Sequence, residues 1–209
     1  MRLTLRGFKD RDANGLVTYS GTASRLAQKL TISEACIRKW KVTAIDVNKA
    51  FLKGLDYGEF AQETGEALRE VNFELDASSV HALRTIKGFE TFNPVTEVLH
   101  NDKPGTGFKD APRCFALKLA KGTQGRFRAK ALTHDDQLLV RHDRKGHLEF
   151  IATVHVDDIK VACEPHVLEQ FTRALTDTFG KNELEITSES FTNCGMRHIR
   201  TAAGGYTMD

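Results

Sequence analysis

Three aspartates, Asp46, Asp157 and Asp158, carry the side chains most able to do chemistry in this 209-residue chain. Asp46 ends the strand-like run TAIDV, and the other two interrupt the apolar run TVHVDDIKVAC at residues 153–163. A carboxylate buried without a partner is costly, so such a pair needs either solvent or a cation. If the two segments are neighbours in one sheet, the three carboxylates meet at one end of it.

Clustered carboxylates repel one another, and a divalent cation relieves that repulsion. Mg²⁺ takes hard oxygen ligands and leaves positions for water and substrate phosphates. Two such ions, roughly 3.5–4 Å apart, can activate an attacking hydroxyl and stabilise a leaving pyrophosphate. The alternative is that VDDI is only a hairpin turn, because aspartate is a favoured turn residue. For the aspartate pair alone, both interpretations stay open.

The composition is that of an ordinary globular protein, with 40% hydrophobic and 28% charged residues. No apolar run approaches the ~20 residues of a membrane span, and no signal-peptide core follows the N-terminus, so we expect no membrane association. The net charge of +2 does not itself indicate a nucleic-acid partner. Residues 103–130, here called the basic strip, nevertheless hold eight basic residues and one acidic residue. Such a strip fits a phosphate backbone or a solvated face.

The four cysteines are widely spaced, which favours reduced intracellular thiols over a disulfide framework. Two of them start pairs with zinc-like spacing, Cys163 with His166 and Cys194 with His198. A zinc-stabilised binding module is therefore one alternative function.

The apolar periodicity predicts an α+β chain without a regular βαβ rhythm. Helical spacing runs from Thr22 to Arg38 and again over Pro165–Phe179, and alternation predicts a strand over Lys41–Val47. Further elements are expected as strands at Gln137–Arg141, Leu148–Val156, Ile159–Cys163 and Phe191–Ile199, and as helices at Ser78–Lys87 and Asp110–Lys121.

Six segments in order resemble the reverse transcriptase domain of copia-type LTR retrotransposons, part of the Pol polyprotein. They are RLTLRGFKD (2–10), TYSGTASRLAQKL (18–30), AIDVNKAFLKG (44–54), GTGFKDAPRCF (105–115), VHVDDI (154–159) and FGKNELEI (179–186). The order of the segments, which spans nearly the whole chain, is more specific than any one of them. The resemblance implies an RNA-directed DNA polymerase core that joins deoxynucleotides to a primer 3′-hydroxyl.

For the fold, the resemblance implies a polymerase palm, an antiparallel sheet with helices packed on one face, plus partial fingers. Residues 1–45 would form the partial fingers, and 46–209 the palm with an inserted fingers segment at about 56–104. No thumb or RNase H segment is recognised within the chain, and both ends give the impression of being cut from a longer polyprotein.

The resemblance also assigns roles to single residues. Asp46, Asp157 and Asp158 would be catalytic and, with the Val47 backbone carbonyl, would hold two Mg²⁺ ions, for which Mn²⁺ could substitute. The nucleotide would contact Arg2, Phe51, Thr106 and Gly107, with the Phe51 ring excluding a 2′-hydroxyl. The primer–template backbone would contact Lys109, Arg113 and Lys160.

The implied partners are an RNA or DNA template with its primer, deoxynucleoside triphosphates, and the integrase and RNase H of a Pol polyprotein. The implied location is intracellular, in cytoplasmic virus-like particles or in the nucleus. The chain departs from the family pattern at His155, where tyrosine is usual, and at Gly105, Thr106, Cys114 and Phe115. A degenerate, non-catalytic remnant that at most binds nucleic acid is therefore the second hypothesis.

Overall fold

The computed structural model describes residues 7–12 and 14–208, so Arg2, a predicted nucleotide contact, lies outside the described residues. The chain divides into two compact units, Met1–Gly54 with Gly105–Asp209 and, separately, Leu55–Pro104. The second unit spans almost the same residues as the predicted insertion at 56–104.

The elements alternate irregularly between helix and strand. In chain order they are α1 (Arg25–Arg38), β1 (Lys41–Val47), a 3₁₀ turn (Ala50–Lys53), α2 (Tyr57–Thr64), β2 (Val71–Phe73), α3 (Ala77–Leu83), β3 (Leu99–Asn101), α4 (Ala111–Ala120), a π-helical segment (Lys121–Arg126), β4 (Lys130–Leu132), β5 (Asp135–His142), β6 (Leu148–His155), β7 (Asp158–Cys163), α5 (Pro165–Phe179), β8 (Leu184–Thr187), β9 (Ser190–Asn193), β10 (Met196–Arg200) and β11 (Tyr206–Met208). A further 3₁₀ turn covers Gly7–Lys9.

A six-stranded sheet in the order β4-β5-β6-β7-β1-β8 forms the centre of the larger unit. Its neighbouring strands all run antiparallel. The mixed α+β class with antiparallel sheets is therefore confirmed. Strand β1 crosses the predicted fingers boundary at residue 45 without interruption.

Both faces of this sheet are covered, and the expectation of helices on one face is wrong. On one face, β7 residues Ile159 and Val161 pack in a core with residues of α4 and α5. On the other face, Ala162 packs in a second core with Ala27 and Ala35 of α1. The physical reason is that the small alanines of α1 let it approach the sheet closely and pack with Ala162 on this face.

Local signals set the ends of the main helices. The Ser24 hydroxyl accepts the Ala27 N–H at 3.1 Å and caps α1, which ends at Lys39 in a left-handed conformation. Helix α5 starts with Pro165 in its first turn and ends at Gly180, with φ 109°. Helix α5 packs its apolar face on the core that contains Ile159 and Val161, here called the first core, and this packing holds the sheet beneath it in place.

The unit Leu55–Pro104 contains a capped helix and a short hairpin. The Glu59 N–H donates to the Asp56 carboxylate at 2.6 Å, and the Asp56 N–H donates to the Glu59 carboxylate at 3.2 Å, a reciprocal capping box. Strands β2 and β3 pair antiparallel.

The C-terminal part of the larger unit is a three-stranded sheet in the order β11-β10-β9. The single strand predicted over Phe191–Ile199 is instead a hairpin, because Cys194 and Gly195 turn the chain with φ 53° and 75°. None of the helices in the described part of the chain combines the length and the apolar character that crossing a bilayer demands.

Candidate active site

The pairing of β1 with β7 brings Asp46 and Asp158 together. Ile45 is paired with Ile159, so one further step in the antiparallel register places Asp46 opposite Asp158 at the end of the strand pair. Side chains alternate along a strand, so both carboxylates lie on the α1 face of the sheet, like Val42 and Ala162. Directly opposite residues in such a pair have Cβ atoms roughly 4.5–5.5 Å apart.

Asp157 lies in the two-residue turn that joins β6 to β7, where His155 is paired with Asp158. The preceding turn residue, Val156, has φ 58°, an unusual value for a β-branched side chain. Strain of this kind costs of the order of 1–3 kcal/mol and is commonest at functional sites. The turn therefore holds Asp157 at the sheet end beside the other two carboxylates.

The three carboxylates lie close enough to interact electrostatically. Burial raises the pKa of Asp46, and the nearby charges of Asp157, Asp158 and Glu185 raise it further. Burial also raises the pKa of Asp158, as does the charge of Asp157, while the Cys194 backbone N–H lowers it. Within the described residues, none of the three aspartates takes part in a salt bridge with lysine or arginine. Negative charge is thus concentrated here, and at Asp158 the charge of His155 offsets part of it.

Carboxylate oxygens are the kind of ligand that Mg²⁺ takes, but these three carboxylates are not arranged to hold an ion by themselves. In residues 7–12 and 14–208, no group of three or more His, Cys, Asp or Glu side chains is arranged so that it could hold a metal ion. Mg²⁺ commonly uses only one or two carboxylates and takes its remaining ligands from water and substrate phosphates. Two carboxylates on adjacent strands, with a third one beside them, suit that mode of binding.

Glu185 is an acidic neighbour that the sequence interpretation does not include. It lies directly opposite Asp46 in the β1–β8 pair, and its side chain is exposed. The segment FGKNELEI contains Glu185 and could have pointed to it, but no strand is predicted there from the sequence. The acidic end of the sheet therefore involves three strands.

The other predicted nucleotide contacts lie on different elements. Phe51 is half-buried in the 3₁₀ turn and packs against the first core, and Val47 is buried in that core. Thr106 is half-buried, and Gly107 is exposed, its carbonyl accepting the Gly7 N–H at 3.1 Å.

The predicted nucleic-acid contacts divide into exposed and buried residues. Lys109 is exposed, and Arg113, in the first turn of α4, donates to the Val17 carbonyl at 3.4 Å. Lys160 has 0% exposure, so the prediction that it contacts a phosphate backbone is corrected. The reason is that α1 and the β9–β10 hairpin cover this face of β7.

Lys160 instead belongs to a buried polar cluster. Its ammonium lies 3.5 Å from Nε2 of His198, which is also fully buried. Nδ1 of His198 lies 3.0 Å from the Met196 carbonyl, and a proton donated there leaves Nε2 free to accept from Lys160. The Gln28 amide donates to Cys194 Sγ at 3.3 Å and ties α1 to the tip of the hairpin.

The structure separates the residues of the zinc alternative. Cys163 ends β7, five residues from Asp158, a distance of roughly 16 Å along a strand. Cys194 lies at the Asp158 end, since its backbone N–H bonds that carboxylate. His166 is exposed and pairs with Glu164 at 3.4 Å. These four side chains do not converge on one ion.

We expect Asp46→Asn to be more stable than the wild-type protein at pH 7 in metal-free buffer, by about 0.5–2 kcal/mol. Because the pKa of Asp46 is raised in the folded state, the ionised carboxylate destabilises the fold. This penalty is absent below the ordinary value of 3.8, grows as pH rises from there to the folded pKa, and stays constant above it. Urea unfolding at pH 7 and pH 3 measures the difference, which should disappear at the lower pH.

The matched control is Asp143→Asn in the β5–β6 turn. The His147 backbone N–H holds the pKa of Asp143 below its usual value, so its ionised form stabilises the fold and the control variant should lose stability at pH 7. Equal effects of the two substitutions would contradict the crowding of charge at Asp46.

Lys160→Met should be about 1–3 kcal/mol more stable than wild type at pH 7. Burial lowers the pKa of Lys160 from 10.5 to about 8, so between these values the unfolded chain holds a proton that the folded protein has released. Wild-type stability therefore rises with pH across that window, and the advantage of the variant shrinks. Urea unfolding from pH 7 to 10.5 tests this, with exposed Lys145→Met as control. An advantage that does not change with pH would refute it.

Comparison with known proteins does not assign the chain to a family. No family model matches it, and no curated protein matches it at a significant level. Its function must therefore be inferred from its own residues and their geometry.

Proposed function

We propose that this chain is the core of an RNA-directed DNA polymerase that transfers a nucleotide from a deoxynucleoside triphosphate to a primer 3′-hydroxyl. The observation that carries the proposal is the approach of Asp46 to Asp157 and Asp158, which are more than a hundred residues away in the sequence. The resemblance of the ordered segments to copia-type reverse transcriptases supports the same reading. A turn-only role for the aspartate pair does not account for Asp46.

In this proposal, Asp46 and Asp158 hold the cations from two adjacent strands, and Asp157 approaches from the turn. Bound Mg²⁺ would lower the pKa of the attacking hydroxyl and stabilise charge on the leaving pyrophosphate. The six-stranded sheet and its two cores keep the carboxylates in fixed positions, so little ordering is needed when substrate binds. All three carboxylates are half-buried at the strand end, so they keep some access to solvent.

Three other predicted contacts are compatible with this role. The Phe51 ring packs against the first core, and the resemblance gives it the role of excluding a 2′-hydroxyl. Lys109 and Arg113 lie around the start of α4, where cations can contact a phosphate backbone without reading sequence. Such contacts weaken as salt concentration rises.

The second candidate is a non-catalytic domain that binds nucleic acid. Its specific support is that Arg126, Arg128 and Lys130 of the basic strip are all exposed. Binding of this kind needs no carboxylates.

A primer-extension assay separates the candidates. We expect the purified chain with oligo(dT) annealed to poly(rA), dTTP and Mg²⁺ to extend the primer, because the three carboxylates would then share the cations. Asp157→Asn should lower the rate at least about a hundredfold, as expected when a group that acts in the transition state is removed. Asp143→Asn, an equivalent change in a turn outside the site, should retain the wild-type rate.

Equal extension by wild type and Asp157→Asn would refute catalysis at this site. Salt-dependent binding of the hybrid, measured by fluorescence anisotropy, without any incorporation would favour the non-catalytic candidate. Circular dichroism on each variant establishes that a lost signal does not reflect unfolding.

A further inference from the structure

Helix α1 exposes apolar side chains on the face opposite to the sheet. Leu26, Leu30 and Ile37 are 76%, 40% and 71% exposed, respectively. The buried side of the helix consists of different residues, among them Ala27, Ile32 and Ala35. Scattered exposed leucines are normal, but three aligned on one helix mark an interaction surface.

The spacing of this stripe is that of a helix-pairing seam. Leu26, Leu30, Ser33 and Ile37 follow one another at steps of four, three and four, which keeps them within a narrow arc of the helix. Alternating steps of three and four are the a and d positions of a heptad. The 14-residue helix is about 21 Å long, so the seam extends over most of it.

Charged residues flank the seam in a pattern that fits a second copy of the same helix. Lys29 precedes Leu30 on one side, and Glu34 follows Ser33 on the other side, five residues later. In a parallel pair of identical helices, such residues lie opposite each other across the seam, so Lys29 of each chain meets Glu34 of the other. Glu34 Oε2 accepts from Arg38 Nε at 2.9 Å, which leaves Oε1 for this contact.

An antiparallel pair fits less well. With the seam residues in register, it would place Lys29 beside Cys36 of the other chain and Glu34 beside Ala27. Neither charge would then meet an opposite one. The charge pattern thus selects the parallel arrangement.

We propose that α1 is a self-association surface on which a second copy of this chain docks in parallel, with Leu26, Leu30, Ser33 and Ile37 in the seam. This inference is independent of the polymerase proposal, because it uses none of the residues of the acidic site. A single pair of short helices buries less surface than a stable obligate dimer needs, so the dimer forms only at high concentration.

Charge reversal tests the surface. Sedimentation velocity on the full chain over a wide concentration range should show a concentration-dependent dimer. Lys29→Glu or Glu34→Lys alone should weaken dimerisation about tenfold, since each places like charges together. The double variant restores opposite charges across the seam and should recover wild-type association. Arg144→Glu, an exposed change in the β5–β6 turn, is the control and should have no effect.

A cysteine cross-link tests the orientation. In a parallel pair, position 33 lies opposite its own copy, so Ser33→Cys in a Cys36→Ser background should form an interchain disulfide under mild oxidation. Arg25→Cys in the same background, away from the seam, should give little cross-link. Circular dichroism verifies that the variants fold.

Three results would overturn the proposal. They are a wild-type protein that is monomeric at every concentration, a double charge variant that associates no better than the single variants, and a Ser33→Cys protein that cross-links no more than its Cys36→Ser parent. Binding of the stripe to lipid vesicles by a protein that stays monomeric would overturn it as well.

Discussion

The register between β1 and β7 is the constraint on which the candidate site depends. Because side chains alternate along a strand, a slip of one residue would turn Asp46 to the other face and separate it from Asp158. The register is held by cores on both faces, with Val42 packed on the α1 side and Ile45 and Val47 packed toward α5. The apolar interior thereby forces together carboxylates that repel each other, an arrangement typical of sites that bind cations.

The β9–β10 hairpin links this acidic end to the rest of the α1 face. Its tip donates the Cys194 N–H to Asp158, and two residues further along β7 the buried Lys160 contacts His198 of the same hairpin. Gln28 of α1 bonds the hairpin tip from the other side. The position of Asp158 is therefore coupled to three elements, and two non-glycine residues with positive φ, Val156 and Cys194, form the turns around it.

Much of the central architecture could be predicted because it rests on local periodicity. Lys41–Val47 and Pro165–Phe179 have the observed boundaries, since alternation in one and a wide apolar stripe in the other leave little ambiguity. The sequence does not show which strands are neighbours, so the convergence of Asp46 with Asp158 was only a hypothesis. The pairing of β1 with β7 comes from the structure. The burial of Lys160 could not be predicted, because it depends on a hairpin that arrives from thirty residues later in the chain.

The central claim is that Asp46, Asp157 and Asp158 form one cation site. Titration of the protein with Mn²⁺, followed by the loss of the free-ion signal in electron paramagnetic resonance, tests it most directly. We predict that the wild-type chain binds Mn²⁺ and that Asp46→Asn and Asp158→Asn each bind it at least about tenfold more weakly, since carboxylates from two strands would share the ion. Mn²⁺ binding of equal strength in wild type and Asp46→Asn would contradict it.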